Sequence, residues 1–231
     1  VLFRSRARNN KKTSLDVNEF QTEHSYIYNF QRWIFTKSLN YSKTVIVPSN
    51  HLKDLVKSWG ILEQKIQVIR NSNELHERGE KIDYIYDLIY VGRLIELKNL
   101  PEVFFICKSM SVSILILGSG PQLNELKKLA TDLKISATFK GNVSYSEVVQ
   151  NLKMAKVFIL NSLHEGSPNA LIEAQSLGCV CVVRANHGTL EIVNDLVNGI
   201  LVSDKRSLSD AIKLSLTDQL LRQNLSKNSI N

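Results

Sequence analysis

The hydrophobic and polar positions alternate regularly from about residue 84 to residue 202. Short apolar runs, typical of buried strands, are separated by stretches in which apolar residues recur every three or four positions, the spacing of an amphipathic helix. The strands are predicted at residues 87–91, 112–117, 137–139, 157–160, 180–183 and 200–202. Continuous apolar strands that alternate with helices form a parallel sheet covered on both faces. We therefore predict an α/β fold with a Rossmann-like, doubly wound parallel sheet.

A different pattern precedes this domain. Aromatic residues at near-helical spacing predict an amphipathic helix over residues 19–39, followed by a short strand over residues 44–47. Ser49 or Asn50 then caps a helix that runs to Trp59, and a further strand lies within residues 65–72. The aromatic face of the first helix has two interpretations, packing on a domain or lying on a membrane surface.

The boundary between the two patterns is predicted in residues 73–83, which are charged and show no periodicity. This prediction divides the chain into a partial N-terminal domain, residues 1–78, and a larger domain, residues 79–231. At 231 residues the chain is long enough for one large domain or for two small domains with their own cores.

The charge of the chain changes this picture little. The net charge is +7, but residues 1–12 contain five cations and no acid, so the remaining residues carry only +2. Those first residues are predicted as a short strand or a basic arm. A nearly balanced body gives little support to nucleic-acid binding.

The three cysteines lie in apolar runs at positions 107, 179 and 181. An odd number without framework spacing predicts buried, reduced thiols in a cytoplasmic protein. No second Cys/His pair accompanies Cys179 and Cys181, so a zinc site is disfavoured. The sequence has no apolar run near the roughly 20 residues that a membrane-spanning helix requires, and no signal-peptide pattern at Val1.

Candidate chemistry is concentrated in residues 162–178, SLHEGSPNALIEAQSLG. Ser167 and Pro168 form a helix start, and Gly178 is placed to end the helix, so a helix is predicted over residues 168–177. The first backbone N–H groups of a helix have no partner inside it and lie at the positive end of its dipole. They form a natural phosphate site, and here they belong to Asn169, Ala170 and Leu171.

Two glutamates flank this predicted phosphate site, Glu165 before the helix and Glu173 within it. A carboxylate is a poor neighbour for a phosphate but a good acceptor for sugar hydroxyls. The arrangement fits a ligand with phosphates in the middle and a polyol on each side. A nucleotide sugar has this composition.

Further candidates follow the first two predicted strands of the large domain. In VGRLIELKN, Gly92 permits close approach to the backbone, while Arg93 and Lys98 can neutralise a diphosphate. Gly118 and Gly120 follow the second strand, and their GxG spacing raises the alternative of a dinucleotide-dependent dehydrogenase. The third glycine of that fingerprint is missing, so this alternative is disfavoured.

These motifs resemble those of retaining glycosyltransferases of family 4, the glycogen-synthase-like group with the GT-B fold. The resemblance rests on E-x7-E from Glu165 to Glu173, on VGRL-x3-KN, on the G-x-G-P turn and on FKGNV at residues 139–143. It covers roughly residues 40 to 225, and it implies that the large domain is the C-terminal, donor-binding half of a GT-B fold. Where the family usually has Pro-Asn-Gly before that half, this chain has RNS at residues 70–72.

The resemblance also implies roles for individual residues. Arg93 and Lys98 would hold the donor diphosphate, and Glu165 would contact the donor sugar; these three are the predicted catalytic residues. Glu173 would bind the ribose hydroxyls. The remaining donor-binding residues would enclose the nucleotide or contact it through their backbone: Gly92, Gly118, Gly120, Val143, Gly166, Ser167, Asn169, Ala170 and Leu171.

The expected activity is transfer of a hexosyl unit, with retention, from a UDP- or GDP-linked sugar to a glycan or lipid acceptor in cell-surface polysaccharide or glycolipid biosynthesis. No metal ion and no further cofactor are expected. We expect a cytoplasmic location, at the inner face of the membrane if the chain associates peripherally with it. Two alternatives stay open, a nucleotide-sugar-binding fragment without activity and a nucleotide-sugar epimerase of GT-B fold.

Overall fold

The structure of the protein, a computed structural model, describes residues 26–72 and 84–229. The predicted basic arm at residues 1–12, the start of the first predicted helix and the predicted boundary between residues 78 and 79 lie outside these residues. The described residues form two compact units, one of residues 26–71 with 164–167 and one of residues 72 and 84–163 with 168–229.

The first unit has a small parallel sheet beside its helices. Helix α1 spans Tyr26–Tyr41, strand β1 spans Val45–Val47, helix α2 spans Asn50–Ser58 and strand β2, Ile66–Val68, pairs with β1. Ser49 caps α2, since its hydroxyl accepts the Leu52 N–H at 3.2 Å, as predicted. The core of this unit is small: Leu39, Val45, Val47, Val56, Ile61 and Ile66.

The second unit is the predicted doubly wound domain, in which six strands alternate with helices. The strands are β3 (Tyr86–Val91), β4 (Ile114–Leu117), β5 (Ala137–Gly141), β6 (Ala155–Leu160), β7 (Val180–Arg184) and β8 (Ile200–Val202). The helices are α3 (Leu100–Met110), α4 (Leu123–Leu133), α5 (Tyr145–Lys153), α6 (Asn169–Ser176), α7 (His187–Leu190), α8 (Leu208–Thr217) and α9 (Gln219–Asn228). All six predicted strands are present, with ends shifted by at most two residues.

The six strands form one parallel sheet in the order β5-β4-β3-β6-β7-β8. The chain adds strands on one side of β3 up to β5 and then returns to the other side with β6. This return places a topological switch point between β3 and β6, where doubly wound sheets bind ligands beyond the carboxyl ends of their strands.

The sheet is buried on both faces. Successive residues Leu88, Ile89 and Tyr90 of β3 are fully buried although they point to opposite sides. The same holds for β4, whose residues Ile114 to Leu117 are all buried. This two-sided burial explains why the strands appear in the sequence as continuous apolar runs.

In the part of the chain that the structure describes, no helix is long and apolar enough to cross a bilayer.

Candidate functional site

The loops beyond the carboxyl ends of neighbouring strands are joined by backbone hydrogen bonds. The Gly118 N–H, after β4, donates to the Gly141 carbonyl at the end of β5 at 2.7 Å, and the Leu94 N–H, after β3, donates to the Ser119 carbonyl at 2.9 Å. Across the switch point, the Leu163 N–H after β6 donates to the Leu97 carbonyl at 2.9 Å. The segment that carries Arg93 and Lys98 therefore lies beside residues 161–163, which follow β6.

Arg93 is held through its backbone. The Tyr90 side chain is fully buried, and its hydroxyl donates to the Arg93 carbonyl at 2.8 Å. The Arg93 side chain itself is exposed to solvent. A fixed backbone beneath an exposed guanidinium suits a side chain that binds a ligand, because less backbone freedom is lost on binding.

Lys98 lies in a short 3₁₀ helix, Glu96–Lys98, just before α3. The next residue, Asn99, has a left-handed backbone with φ of 48°, a conformation that asparagine tolerates better than most residues. The Lys98 side chain is half-buried at this turn.

Gly118 and Gly120 have a packing role that the sequence did not reveal. A Cβ atom on Gly118 would lie 2.0 Å from the Gly92 carbonyl oxygen, and one on Gly120 would lie 2.3 Å from the Leu94 carbonyl oxygen. Glycine is required at both positions because the loops after β3 and β4 pack backbone against backbone. The predicted contact of these glycines with a nucleotide stays a prediction.

The start of α6 differs from the prediction in two respects. Pro168 occupies the N-cap position and no side chain caps the helix, while the Ser167 hydroxyl accepts a hydrogen bond from the Asn71 side-chain amide at 3.1 Å. The prediction that Ser167 caps this helix is therefore wrong. The Leu171 N–H donates to the Pro168 carbonyl at 3.1 Å, so the prediction that Leu171 offers an unpaired N–H is also wrong: a tight first turn consumes it.

The two N–H groups before Leu171 belong to Asn169, whose side chain is exposed, and to Ala170, which is half-buried. They lie at the positive end of α6. The helix ends as predicted, since Gly178 has a left-handed φ of 71° and the Cys179 N–H donates to the Ala174 carbonyl at 2.9 Å.

Glu173 lies on α6, one turn after Asn169. Its side chain is half-buried, and burial raises the pKa of its carboxyl above the ordinary value of 4.5. A partly desolvated carboxylate binds hydroxyl groups more strongly than an exposed one, because water competes less for its oxygens.

The remaining predicted site residues lie on three loops. Residues 164–167, which include Glu165 and Gly166, group with the first unit; a Cβ atom on Gly166 would lie 3.0 Å from Leu52. Val143 follows β5 and packs, half-buried, against the core of the second unit. Gly92 directly follows β3 with φ of 155°.

A family model described as glycosyl transferases group 1 matches residues 71–231 of the chain. The chain belongs to this family. The resemblance that the motifs indicated is thereby confirmed, and the matched region contains both the E-x7-E segment and the segment with Arg93 and Lys98.

Two curated relatives of this group 1 glycosyltransferase chain are similar to it over most of its length. The N-acetylgalactosamine-N,N'-diacetylbacillosaminyl-diphospho-undecaprenol 4-alpha-N-acetylgalactosaminyltransferase of Campylobacter jejuni is 30% identical over 235 residues, covering 92% of this chain and 63% of the relative. The UDP-Gal:alpha-D-GlcNAc-diphosphoundecaprenol alpha-1,3-galactosyltransferase of Escherichia coli is 30% identical over 222 residues, covering 85% of this chain and 57% of the relative. The chain thus spans about 60% of the length of these relatives.

Solved structures with low sequence identity share the fold. The crystal structure of HepE from Anabaena in complex with UDP-glucose matches with a TM-score of 0.79 at 17% identity, covering 91% of this chain and 64% of that one. Sucrose-phosphate synthase from Thermosynechococcus elongatus matches with a TM-score of 0.76 at 21% identity, covering 94% and 60%. These matches confirm the α/β, GT-B type architecture.

Sequence reasoning missed a cluster of polar side chains beside Lys98 in this group 1 glycosyltransferase chain. It consists of Asn99, Glu102, Asn161 and Arg184, which lie around the ends of β6 and β7 and the start of α3. No spacing in the sequence signals this cluster, because its members come from three separate segments. The local sign of the cluster is Asn161, a polar residue that directly follows the apolar run of β6. It is buried, with 1% of its surface exposed, and buried polar side chains need hydrogen-bond partners.

Among the described residues, no group of three or more His, Cys, Asp or Glu side chains is arranged to hold a metal ion. The three cysteines are buried and form no disulfide, as expected of reduced thiols. Burial raises the pKa of the Cys107 thiol to about 12 and the pKa of the Cys181 thiol well above its ordinary value. These thiols are therefore poor nucleophiles and poor metal ligands at neutral pH.

Proposed function

We propose that this chain supplies the donor-binding half of a glycosyltransferase that moves a hexosyl unit from a UDP- or GDP-linked sugar to a lipid-linked or polysaccharide acceptor in cell-surface biosynthesis. One observation carries the proposal. The two motifs of the matched family region follow β3 and β6, the strands on either side of the switch point, and their loops are joined by the hydrogen bond between Leu163 and Leu97.

The proposed chemistry is stabilisation of the leaving diphosphate. Arg93, Lys98 and the first N–H groups of α6 would hold the charge that grows on the diphosphate as the glycosidic bond breaks. Glu165 would position the donor sugar, and Glu173 would accept hydrogen bonds from the ribose hydroxyls. Fixed cations and a helix dipole supply what a metal ion supplies elsewhere, so we propose a reaction without a metal.

The proposal includes retention of anomeric configuration at the transferred sugar. In a front-face mechanism the leaving phosphate takes the proton of the acceptor hydroxyl, and the new bond forms on the face that the diphosphate leaves. Nuclear magnetic resonance of the first product formed by the whole enzyme, with and without a chelator, tests both features. An inverted product, or a reaction abolished by the chelator and restored by a divalent cation, would contradict them.

The acceptor class is proposed from the relatives, whose names give undecaprenol-linked acceptors. We propose that an enzyme acting on such lipid acceptors works at the inner face of the membrane. Helix α1 carries large exposed side chains that suit this location, with Trp33 57% and Tyr41 87% exposed and Lys37 between them. Sedimentation with anionic vesicles tests this location, and equal recovery of wild type and Trp33→Ala in the pellet would contradict a role for α1.

A titration of the chain with UDP and with GDP tests the donor site. We expect one of the two to bind, and we expect Arg93→Ala to weaken diphosphate binding about tenfold or more, the loss that follows removal of a charge-assisted hydrogen bond. Binding of the corresponding nucleoside should not change. Lys128→Ala, which removes an exposed cation from α4, is the matched control.

A folded sample that binds neither nucleotide would contradict the donor site. Equal losses of diphosphate and nucleoside affinity in Arg93→Ala would remove Arg93 from the phosphate contacts.

A second candidate function is nucleotide-sugar binding without turnover. The chain spans about 60% of the length of these relatives, so donor binding by this stretch and transfer by the whole protein are tested separately. Donor binding without transfer to any acceptor would support it, whereas release of free nucleoside diphosphate only when an acceptor is present would support transfer. Formation of an epimeric nucleotide sugar in the absence of acceptor would instead reveal an epimerase.

A further inference from the structure

The polar cluster beside Lys98 is fully connected by hydrogen bonds. Asn161 donates through its side-chain amide to the Asn99 carbonyl at 3.1 Å and to the Glu102 carboxylate at 3.0 Å. The Asn161 amide oxygen accepts from Nε of Arg184 at 2.9 Å. The Arg184 guanidinium also forms an ion pair with Glu102, whose carboxylate accepts a further bond from the Asn99 side chain.

Arg184 determines which way the Asn161 amide faces. An arginine Nε can only donate, so the amide oxygen of Asn161 must face it. The amide nitrogen is then directed to Asn99 and Glu102, both of which offer acceptors. Because Asn161 is buried, the opposite orientation would leave donor against donor at a cost of several hydrogen bonds.

The cluster holds the residue next to Lys98 at two points. Asn99 is bonded through its carbonyl to Asn161 and through its side chain to Glu102. Its left-handed backbone, with φ of 48°, is a conformation that persists where neighbouring contacts enforce it. Asn99, the residue directly after Lys98, is thereby fixed through its carbonyl and its side chain relative to the ends of β6 and β7.

We propose that Asn161, oriented by Arg184 and Glu102, is a positioning residue that holds Lys98 in place for the diphosphate of the donor. The inference rests on the proposed function. A cation contributes most to binding of developing charge when its position is set before the ligand arrives, because no reorganisation is then required. Asn161 itself does not touch the donor; it acts through Asn99, the residue that follows Lys98.

A double-mutant cycle between Asn161 and Lys98 tests the inference. Asn161→Ala should weaken binding of the nucleoside diphosphate that the wild type prefers by about 3- to 30-fold, which lies within the range of coupling between residues that act together. Binding of the matching nucleoside should not change. In the Lys98→Ala background, the same Asn161→Ala substitution should cause no further loss of diphosphate affinity.

Asp87→Ala is the matched control. Asp87 also forms an ion pair, with Lys156 at 2.7 Å, and accepts hydrogen bonds from Ser113, but it lies at the start of β3, at the opposite edge of the sheet. The Asp87→Ala variant should have a lower free energy of unfolding, with an unchanged ratio of diphosphate to nucleoside affinity. A general loss of stability cannot therefore produce the result expected for Asn161→Ala.

Arg184→Lys provides a second variant if Asn161→Ala does not fold. Lysine keeps the charge opposite Glu102 but lacks the Nε donor that orients Asn161. Arg184→Lys should also reduce diphosphate affinity, by a smaller factor than Asn161→Ala. In the Lys98→Ala background it should have no effect.

Each outcome of the cycle has a defined meaning. Losses that add in the double variant, or equal losses for diphosphate and nucleoside, overturn the positioning role while the donor site stands. A folded wild type that binds neither UDP nor GDP overturns the donor site, and this inference with it.

Discussion

At the scale of single residues, buried polar groups hold the backbone next to the two cations of the proposed donor site, Arg93 and Lys98. The Tyr90 hydroxyl is the clearest case. It reaches from a fully buried ring to the Arg93 carbonyl, a backbone group that β3 no longer pairs. Removing one hydroxyl therefore changes the freedom of a charged side chain three residues away without removing any charge.

Tyr90→Phe should lower the free energy of unfolding by about 1 kcal/mol, the net value of a typical buried hydrogen bond. We also expect a severalfold loss of diphosphate affinity, with nucleoside affinity unchanged. Chemical denaturation and calorimetric titration measure the two effects. Tyr86→Phe, in the same strand and on the same face, is the control; a loss of diphosphate affinity as large as that of Tyr90→Phe would contradict the role of the Arg93 contact.

Burial of the Glu173 carboxyl at the proposed site lowers the stability of the folded protein at neutral pH. Burial raises the pKa of its carboxyl, so the folded protein holds this proton more tightly than the unfolded chain does. The unfolded chain therefore loses the proton first as pH rises above the ordinary value of 4.5, and stability falls through that window. At neutral pH the folded protein still carries this cost.

Glu173→Gln should therefore raise the melting temperature at pH 7 and have little effect below the unfolded pKa, where the carboxyl is protonated in both states. The same variant should weaken nucleoside diphosphate binding by about tenfold, the loss expected when a charged hydrogen-bond acceptor becomes neutral. Thermal unfolding across pH and titration at pH 7 measure the two effects. Unchanged affinity would remove Glu173 from the site, and a lower melting temperature at pH 7 would contradict the cost of burial.

At the scale of elements, the site depends on loops that pack without side chains between them. The loops after β3 and β4 approach so closely that Gly118 and Gly120 face backbone carbonyl groups. The Gln122 N–H adds a hydrogen bond to the Leu94 carbonyl at 3.1 Å, just before α4 begins. The position of Arg93 is thus set by a neighbouring loop as well as by its own strand.

Gly120→Ala should lower the free energy of unfolding by at least about 3 kcal/mol, the upper part of the range for overpacking, because the methyl group meets backbone that cannot rotate away. Gly141→Ala is the control. Gly141 has φ of 68°, and no atom lies within 4 Å of a Cβ added there. The variant should therefore lower the free energy of unfolding by only about 1–2 kcal/mol, the cost of a left-handed backbone for alanine. Equal costs for the two variants, measured by chemical denaturation, would contradict the close packing of these loops.

At the scale of the whole molecule, strand order decides where the motifs meet. The sheet could carry the same six strands in another order, and then the segments after β3 and β6 would not be neighbours. The observed order β5-β4-β3-β6-β7-β8 makes them neighbours and puts the switch point between β3 and β6, the position at which doubly wound sheets bind ligands.

Hydrogen exchange with and without the preferred nucleoside diphosphate tests this placement. We expect slower exchange at residues 92–99 and 168–172, which lie at the carboxyl edge of the sheet beside the switch point. Residues 208–217 of α8 should exchange equally with and without ligand. Protection at the opposite edge, around residues 111–114 and 153–156, would contradict the proposed location.

The sequence alone determined which segments are strands and which are helices in the second unit. Its apolar runs result from burial on both faces of a sheet. Its serine and glycine residues at helix ends form caps with residues only a few positions away. The Ser49 cap, the Gly178 stop and the buried cysteines were predictable for this reason. The family motifs were readable because each lies within one short segment.

Only the tertiary structure decided the strand order and the partners of side chains that meet across it. Ser167 accepts from Asn71, 96 residues away, instead of capping α6, and Arg184 pairs with Glu102 across 82 residues. No local period encodes such pairs, because they form between segments whose proximity is a result of folding. The physical difference is one of range: contacts within a few residues leave a periodic trace in the sequence, whereas contacts between distant segments leave none.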